Sequence, residues 1–420
     1  MKNSEAAAAR SLGEMETEVL AEGQEWMRPR LQQKLQQAAD QHGRVFPHHG
    51  RRLWHAKAPR MRLRTSVGVV ELTVWHGTDP ATRQWGCPIR QRWRLSPHQQ
   101  CSPTLEDKLA FTVTATSTFA QAAAVATKWG CPTDDATVHA LTQRLGARAE
   151  AQTQQRLHQP PRETEPKRAP SDLGVLLVDG WQVRQRGPGW GRQKTKQPRV
   201  EWHELKTGVF YRQEQAAQTA GGRGLLAEKV MVRWQGEPVE LGKRLHWEAM
   251  RHGLGRARAT LVLADGAPWI WNLAADRWRG ATEVLDFYHA SQHVWELGRA
   301  MVGEDEAAAW VEPRLHRLRH GKDRAVAAEM AALKPPRGPR GVVVRREQSY
   351  LAGHETRTHY APIAARGWPI GSGAVESACR QQQCRCKRPG QFWTARGLRH
   401  LGALEEARAN GHWDQLWLTT

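Results

Sequence analysis

The amino-acid sequence predicts an α/β fold, a mixed sheet flanked by helices with a helical insertion, preceded by a mainly helical region. Three observations predict it. Residues 172–420 alternate strand and helix patterns, and residues 1–157 are dominated by helical periodicity. Between them, 158–171 (HQPPRETEPKRAPS) is Pro-rich, polar and aperiodic, as a linker is. The expected organisation is an N-terminal helical arm (1–60), a strand with a helix pair (61–157), the linker, and a C-terminal domain (172–420). A chain of 420 residues is long enough for two or three domains.

The first helix spans Leu12 to Ala39, with Leu20, Trp26, Leu31 and Leu35 as its apolar stripe, and ends in the His- and Arg-rich stretch 48–52. A dimerisation arm and a packing helix fit this segment equally well. Thr65 to Trp75 (TSVGVVELTVW) reads as a strand. Ser102-Pro103 then opens a helix, with Ser as its N-cap and Pro in the first turn. An Ala-rich helix at 118–130 breaks at Gly130, and Pro132 starts another through Val138, Leu141 and Leu145. Two short helices around a Gly-containing turn have the layout of a helix-turn-helix. On that reading 133–145 is a recognition helix, and Thr133, Thr137, His139, Gln143 and Arg144 are candidates to face DNA. An ordinary helical hairpin has the same pattern.

In the C-terminal domain, Val175 to Val178 is an apolar strand that stops at Asp179, and Val200 to Tyr211 and Lys229 to Trp234 are two more. A helix at about 240–253 precedes a strand from Ala259 to Ala264 that stops at Asp265; Ala281 to Leu285 is a fifth, stopping at Asp286. Three strands, a helix, a strand, a helix and a strand is the order of a ribonuclease-H-like core. A charged helical insertion at about 291–345 follows, and then a helix from about Gly373.

Charge narrows the function. The chain holds 62 Lys+Arg against 42 Asp+Glu, a net charge of +20. An enzyme of small metabolites gains nothing from such a field, whereas a polyanion binder gains affinity and encounter rate. Six cysteines without a disulfide framework point to a reducing compartment. No signal-peptide core and no run of eighteen apolar residues is found, so a cytoplasmic protein without a membrane partner is expected. Cys87 and Cys101, near His76 and His98, lack CxxC spacing, and no structural zinc is expected. Cys379, Cys384 and Cys386 read as helix residues.

Two aspartates, each followed by Gly, close separate strands: Asp179 and Asp265, 86 positions apart (265 − 179). Adjacent strands bring such residues together, and like charges that close repel. A divalent cation removes the conflict; Mg²⁺ takes one or two carboxylates and keeps sites for phosphate. A third carboxylate, Glu376, lies in the first turn of the helix that begins Gly371-Ser372-Gly373, where missing Cβ atoms permit close approach. Taken singly, an Asp-Gly pair is a turn and Glu376 a dipole cap; the conjunction points to a metal site. Arg380, Arg385, Lys387 and Arg388, with Trp393 and Phe392 interleaved, have the residue types that grip backbone and stack on bases. Arg184, Arg186, Arg192, Lys194, Lys196 and Arg199 form an acid-free loop after the first strand, which reads as a DNA grip or as a solvated loop.

The segments LLVDG (176–180), WHELKTGV (202–209), LADGAPWI (263–270), DFYH (286–289), GSGAVES (371–377) and GHWDQLW (411–417) carry a resemblance. The chain resembles bacterial insertion-sequence transposases of the DDE class, most closely the ISKra group, over roughly 60–417. The resemblance implies that Asp179, Asp265 and Glu376 are the catalytic triad and hold two Mg²⁺ ions, for which Mn²⁺ substitutes. It also implies that Asp286 and His289 match a Cys/Asp-x-x-His signature supporting the site, with His289 meeting DNA or orienting a carboxylate. The implied partners are double-stranded DNA, as element ends and target, and further copies of the chain. A non-catalytic DNA-binding regulator and a structure-selective nuclease on the same core are the rival readings.

Overall fold

Residues 10–41, 45–48, 51–54, 60–78, 83, 85–96, 99–164, 170–194, 196–221 and 224–418 are described by the computed structural model. The chain divides into two units, residues 1–142 and 143–420. The division falls inside a helix, ahead of the expected linker; positions 165–169 of that linker, and His49 and Gly50 of the His/Arg stretch, lie outside the described residues.

In the first unit, helix α1 (Leu12–Asp40) starts at a capping box between Ser11 and Glu14. Its second half packs Leu31, Leu35 and Ala39 on the small core around Leu63, Val70 and Leu72. The side chains of Gln32 and Gln36 accept hydrogen bonds from the backbone N–H groups of Glu71 and Thr73, satisfying a strand edge. Strands β1 (Val45–His48) and β2 (Arg51–Trp54) pair antiparallel. So do β3 (Arg60–Thr65) and β4 (Gly68–Thr73), which turn at Gly68 with φ of 113°. The single expected strand from Thr65 is therefore the second arm of a hairpin. Short strands β5 (Gly77–Thr78) and β6 (Trp85–Gly86) and helix α2 (Pro88–Arg92) follow.

Helices α3 (Pro103–Ala115) and α4 (Phe119–Lys128) begin at the side-chain caps Ser102 and Thr118. Helix α5 spans Asp135–Leu157, starting later and ending later than the expected 133–145. Asp134 caps it by accepting from Thr137 N at 2.7 Å, which leaves Thr133 ahead of the helix. Its second half belongs to the other unit, where Arg148 and Gln152 donate to the backbone carbonyls of Leu416 and Gln415. These polar anchors, invisible to an apolar period, extend the helix.

The second unit is built on one five-stranded sheet. Its strands are β7 (Leu173–Arg186), β8 (Val200–Arg212), β11 (Val230–Trp234), β12 (Ala259–Ala264) and β13 (Thr282–Leu285), in the order β11-β8-β7-β12-β13. The pairs β11/β8 and β8/β7 are antiparallel; β7/β12 and β12/β13 are parallel. A small pair, β9 (Ala216–Gln218) and β10 (Gly224–Leu226), was not expected. The order and directions are compatible with a ribonuclease-H-like core. Leu173 to Val178 and Leu261 to Ala264 are buried throughout, as central strands covered on both faces must be.

Helices cover both faces. On β8, a Cβ added to Gly208 would lie 2.5 Å from Leu245 of α6 (Pro238–Arg251). The adjacent Thr207 points the other way and donates to Gln382 of the helix Gly373–Cys386. Helix α7 (Pro268–Arg277) connects β12 to β13. The insertion begins directly after β13 and outlasts its expected limits. It comprises α8 (Phe287–Val302), α9 (Glu304–Arg319), α10 (Asp323–Ala331), α11 (Pro339–Gly353) and α12 (Tyr360–Ala365). Helices α13 (Gly373–Cys386) and α14 (Ala395–Ala409) close the unit. No helix among the described residues is long and apolar enough to cross a membrane.

Leu176 is fully buried in the first half of β7. Leu176→Ala should destabilise the protein by about 2–5 kcal/mol through lost burial and a residual cavity, read as a lower urea midpoint at unchanged slope.

Candidate active site

The parallel ladder between β7 and β12 ends at the pair Val178 and Ala264, so Asp179 and Asp265 emerge side by side on strands about 4.8 Å apart. Only β12 stops there. Contrary to the sequence reading, β7 does not end at Asp179: it continues through Arg186, in a hairpin whose last pair is Arg186 with Val200. Asp179 is therefore a mid-strand residue at the level where its neighbour terminates. At Gly266 the backbone turns with φ of 98°, and a Cβ there would lie 2.5 Å from the Tyr350 hydroxyl. That hydroxyl donates to Asp265 O at 2.6 Å, and Asp265 Oδ1 accepts from Ala267 N at 3.0 Å.

On the next parallel strand, Asp286 follows Leu285 and donates its N–H to Ala264 O. Its carboxylate is buried and turned inward. Oδ1 accepts from His289 N at 2.6 Å, capping α8, and Oδ2 accepts from Ser372 N, just ahead of α13. Phe287 N donates to Ile370 O beside it. Asp286 thus joins two helix starts to the end of the sheet. A Cβ at Gly371 would sit 2.8 Å from the exposed Tyr288 ring, which would have to shift to admit it.

Helix α13 presents Glu376, which is exposed and whose Oε1 accepts from Ser372 Oγ at 2.6 Å. One turn deeper, Cys379 is buried beside Asp179, whose Oδ1 accepts from Gly180 N at 2.6 Å. Burial pushes the Asp179 carboxyl above the ordinary carboxylate range, and the charges of Asp265 and Glu376 push the same way, against the Cys379 and Gly180 hydrogen bonds. Asp179 therefore lies within electrostatic reach of both other acids. Among the described residues no three His, Cys, Asp or Glu side chains form a ready cage for a metal. The donor set nevertheless fits a hard cation: carboxylates only, each held through one oxygen by a local donor. Mg²⁺ needs no more than one or two of them beside water and phosphate.

His289 is half-buried on α8. Burial lowers its pKa and the neighbouring His293 adds to that, against the charges of Asp265, Asp286 and Glu376. Three residues around it were not found from sequence: His293, Glu347 and Tyr350. The i, i+4 spacing of His289 and His293 on one helix face was the available signal for the first; nothing local marks the other two.

The expected DNA-contacting residues separate into groups. Arg380 is exposed one turn after Glu376. Arg385 is corrected: it is buried, and its guanidinium pairs with Glu405 at 3.1 Å, so it is a core cation. Lys387 donates to Gln383 and lies over the Trp181 ring. Arg388 gives its carbonyl to Arg184 at 2.9 Å. Trp393 is half-buried, with Nε1 donating to Cys386 O. Along the β7–β8 hairpin, Arg186 donates to Phe392 O and Arg199 to Arg192 O and Gln193 O. Lys194 and Lys196 are exposed, and Arg192 reaches Gln197 at 3.5 Å. In α5, Thr137 bonds Asp134, His139 packs edge-on to Phe119, and Gln143 bonds His400; Arg144 is half-buried and Thr133 bonds Cys131 O. Cys87 and Cys101 are buried and in no disulfide among the described residues, and His98 lies outside them.

A carboxyl raised by folding opposes stability once ionised. Its contribution is most favourable below the unfolded pKa and is lost as pH rises through the folded one. Without divalent cation, Asp179→Asn should therefore raise Tm at neutral pH, and the gain should shrink as pH falls into the carboxylate range. Calorimetry across pH checks the sign.

No family model and no curated protein matches this chain. Among solved structures it is similar to one described as the Drosophila P element transposase strand transfer complex, at 8% identity and a TM-score of 0.37, over 73% of this chain and 92% of that one.

Proposed function

We propose that this chain is a transposase of the ISKra group that binds the ends of an insertion sequence and cleaves and rejoins DNA by metal-dependent phosphoryl transfer. The observation that carries the reading is the meeting of Asp179 and Asp265, on adjacent parallel strands, with Glu376 on α13, close enough that both charges act on Asp179. A chain of net charge +20 supplies the matching attraction for a polyanion.

Asp179, Asp265 and Glu376 would hold two Mg²⁺ ions, or Mn²⁺ in their place, which would supply positive charge to activate the attacking oxygen and stabilise the leaving 3′-oxygen. Asp286 fixes the start of α13 against the sheet and with it the reach of Glu376. Arg380 faces the DNA one turn beyond Glu376, and the basic hairpin draws in the backbone. In this reading α4 and α5 form the helix-turn-helix that selects double-stranded element ends, and the chain acts in the cytoplasm as a homodimer or larger assembly on DNA.

The test is Mg²⁺-dependent cleavage and joining of DNA carrying the flanking element ends. Asp265→Asn and Glu376→Gln should each lower cleavage by on the order of 10²-fold or more with DNA binding retained. Cleavage by Asp265→Asn at the wild-type rate would refute the assignment. Cleavage without joining of a 3′-hydroxyl donor would identify a nuclease instead.

A further inference from the structure

We infer that the outward face of β3 is a seat for the backbone of duplex DNA, with Arg60, Arg62 and Arg64 meeting successive phosphates of one DNA strand. The inference rests on the DNA-binding half of the function proposed above and draws nothing from its catalysis.

Alternation along β3 builds the ladder. Met61, Leu63 and Thr65 are buried, with Met61 and Leu63 in the small cores of the first unit, so the three arginines between them project from the other face. Arg60 and Arg62 are exposed and Arg64 is half-buried. Side chains two residues apart on an extended strand recur every ~7 Å, close to the separation of neighbouring phosphates along one DNA strand. Pairing with β4, from Arg60 opposite Thr73 to Thr65 opposite Gly68, fixes that spacing.

An open groove of about 600 Å³ runs beside the ladder. Arg62, Arg64 and Arg90 line it, and among the described residues no carboxylate does. Arg90 Nη2 donates to Ser96 O at 2.7 Å and to Gln99 O at 2.8 Å, which fastens its charge to the groove wall. Two acids stand nearby. Glu71 approaches Arg60 and Arg62 only to 3.9 Å, and Asp134 approaches Arg64 to 3.4 Å while capping α5. Exposed pairs this long hold weakly, so a phosphate displaces them at small cost.

The groove leads to the start of α5. Pro132 lines it, and Arg64 Nη1 donates to Thr137 Oγ1 at 3.3 Å. A backbone seated on β3 therefore passes Thr133 and Thr137, two of the expected base-contacting residues. Phosphate contacts of this kind set register and orientation, and leave sequence reading to the groove-facing side chains.

Arg60→Ser/Arg62→Ser in the full chain removes two exposed charges, and anisotropy of a labelled DNA duplex across a salt series, without divalent cation, reads the result. The slope of log affinity against log salt should lose about 1.8 of its magnitude, about 0.9 for each phosphate contact removed. Arg60→Lys/Arg62→Lys keeps the charges and should keep the slope. Arg337→Ser/Arg345→Ser, at exposed positions of the insertion, makes the same change of net charge outside the groove and should leave the slope nearly unaltered. An unchanged slope in Arg60→Ser/Arg62→Ser overturns the proposal, as does an equal loss in the insertion variant or a loss confined to duplex RNA. A chain that shows the expected loss yet cuts no DNA removes the proposed catalysis and leaves this seat standing.

Discussion

The parallel pairing of β7 with β12 is the constraint on which the candidate site depends. Side chains alternate faces along a strand, so a slip of one residue would turn Asp179 away from Asp265. The register is locked because Leu173 to Val178 and Leu261 to Ala264 are buried on both faces, and any slip would misplace every one of those apolar side chains. Asp179 is thereby buried next to Asp265, and its carboxyl is raised chiefly by that burial and in lesser part by the charge of its neighbour.

Asp286 shows how similar residues acquire different work. It too follows a parallel strand of the same sheet, yet its carboxylate goes to backbone N–H groups at the starts of α8 and α13. Helix starts leave such donors unsatisfied, and a buried anion answers two of them at once. A helix remote in sequence is thus anchored to the sheet, and Glu376 comes with it.

Much of this was legible in the sequence, for identifiable reasons. The strand at 259–264 is a short apolar run cut off by Asp265-Gly266, and the helix at Gly373 follows a Gly-Ser-Gly start; both lie where expected. The end of β7 was misplaced because the apolar run stops at Asp179, although the alternation of buried Trp181, Val183 and Gln185 marks the continuing strand. The length of α5 was missed because its second half is held by Arg148 and Gln152, polar residues without an apolar period. Arg385 looked like one more surface cation because a basic run does not reveal that Glu405, a helix away, neutralises it. Glu347 and Tyr350 were beyond reach for the same reason: long-range partners leave no local signature.

The hairpin beyond Asp179 carries a consequence for polyanion capture. Arg184, Arg186 and Arg199 spend guanidinium N–H groups on backbone carbonyls of the protein itself. None of the three pairs with a carboxylate among the described residues, so no salt bridge offsets their charge, and each guanidinium uses only one of its nitrogens on those carbonyls. Such cations contribute a diffuse field that pulls on any polyanion and fades with added salt, and they keep N–H groups with which to grip it.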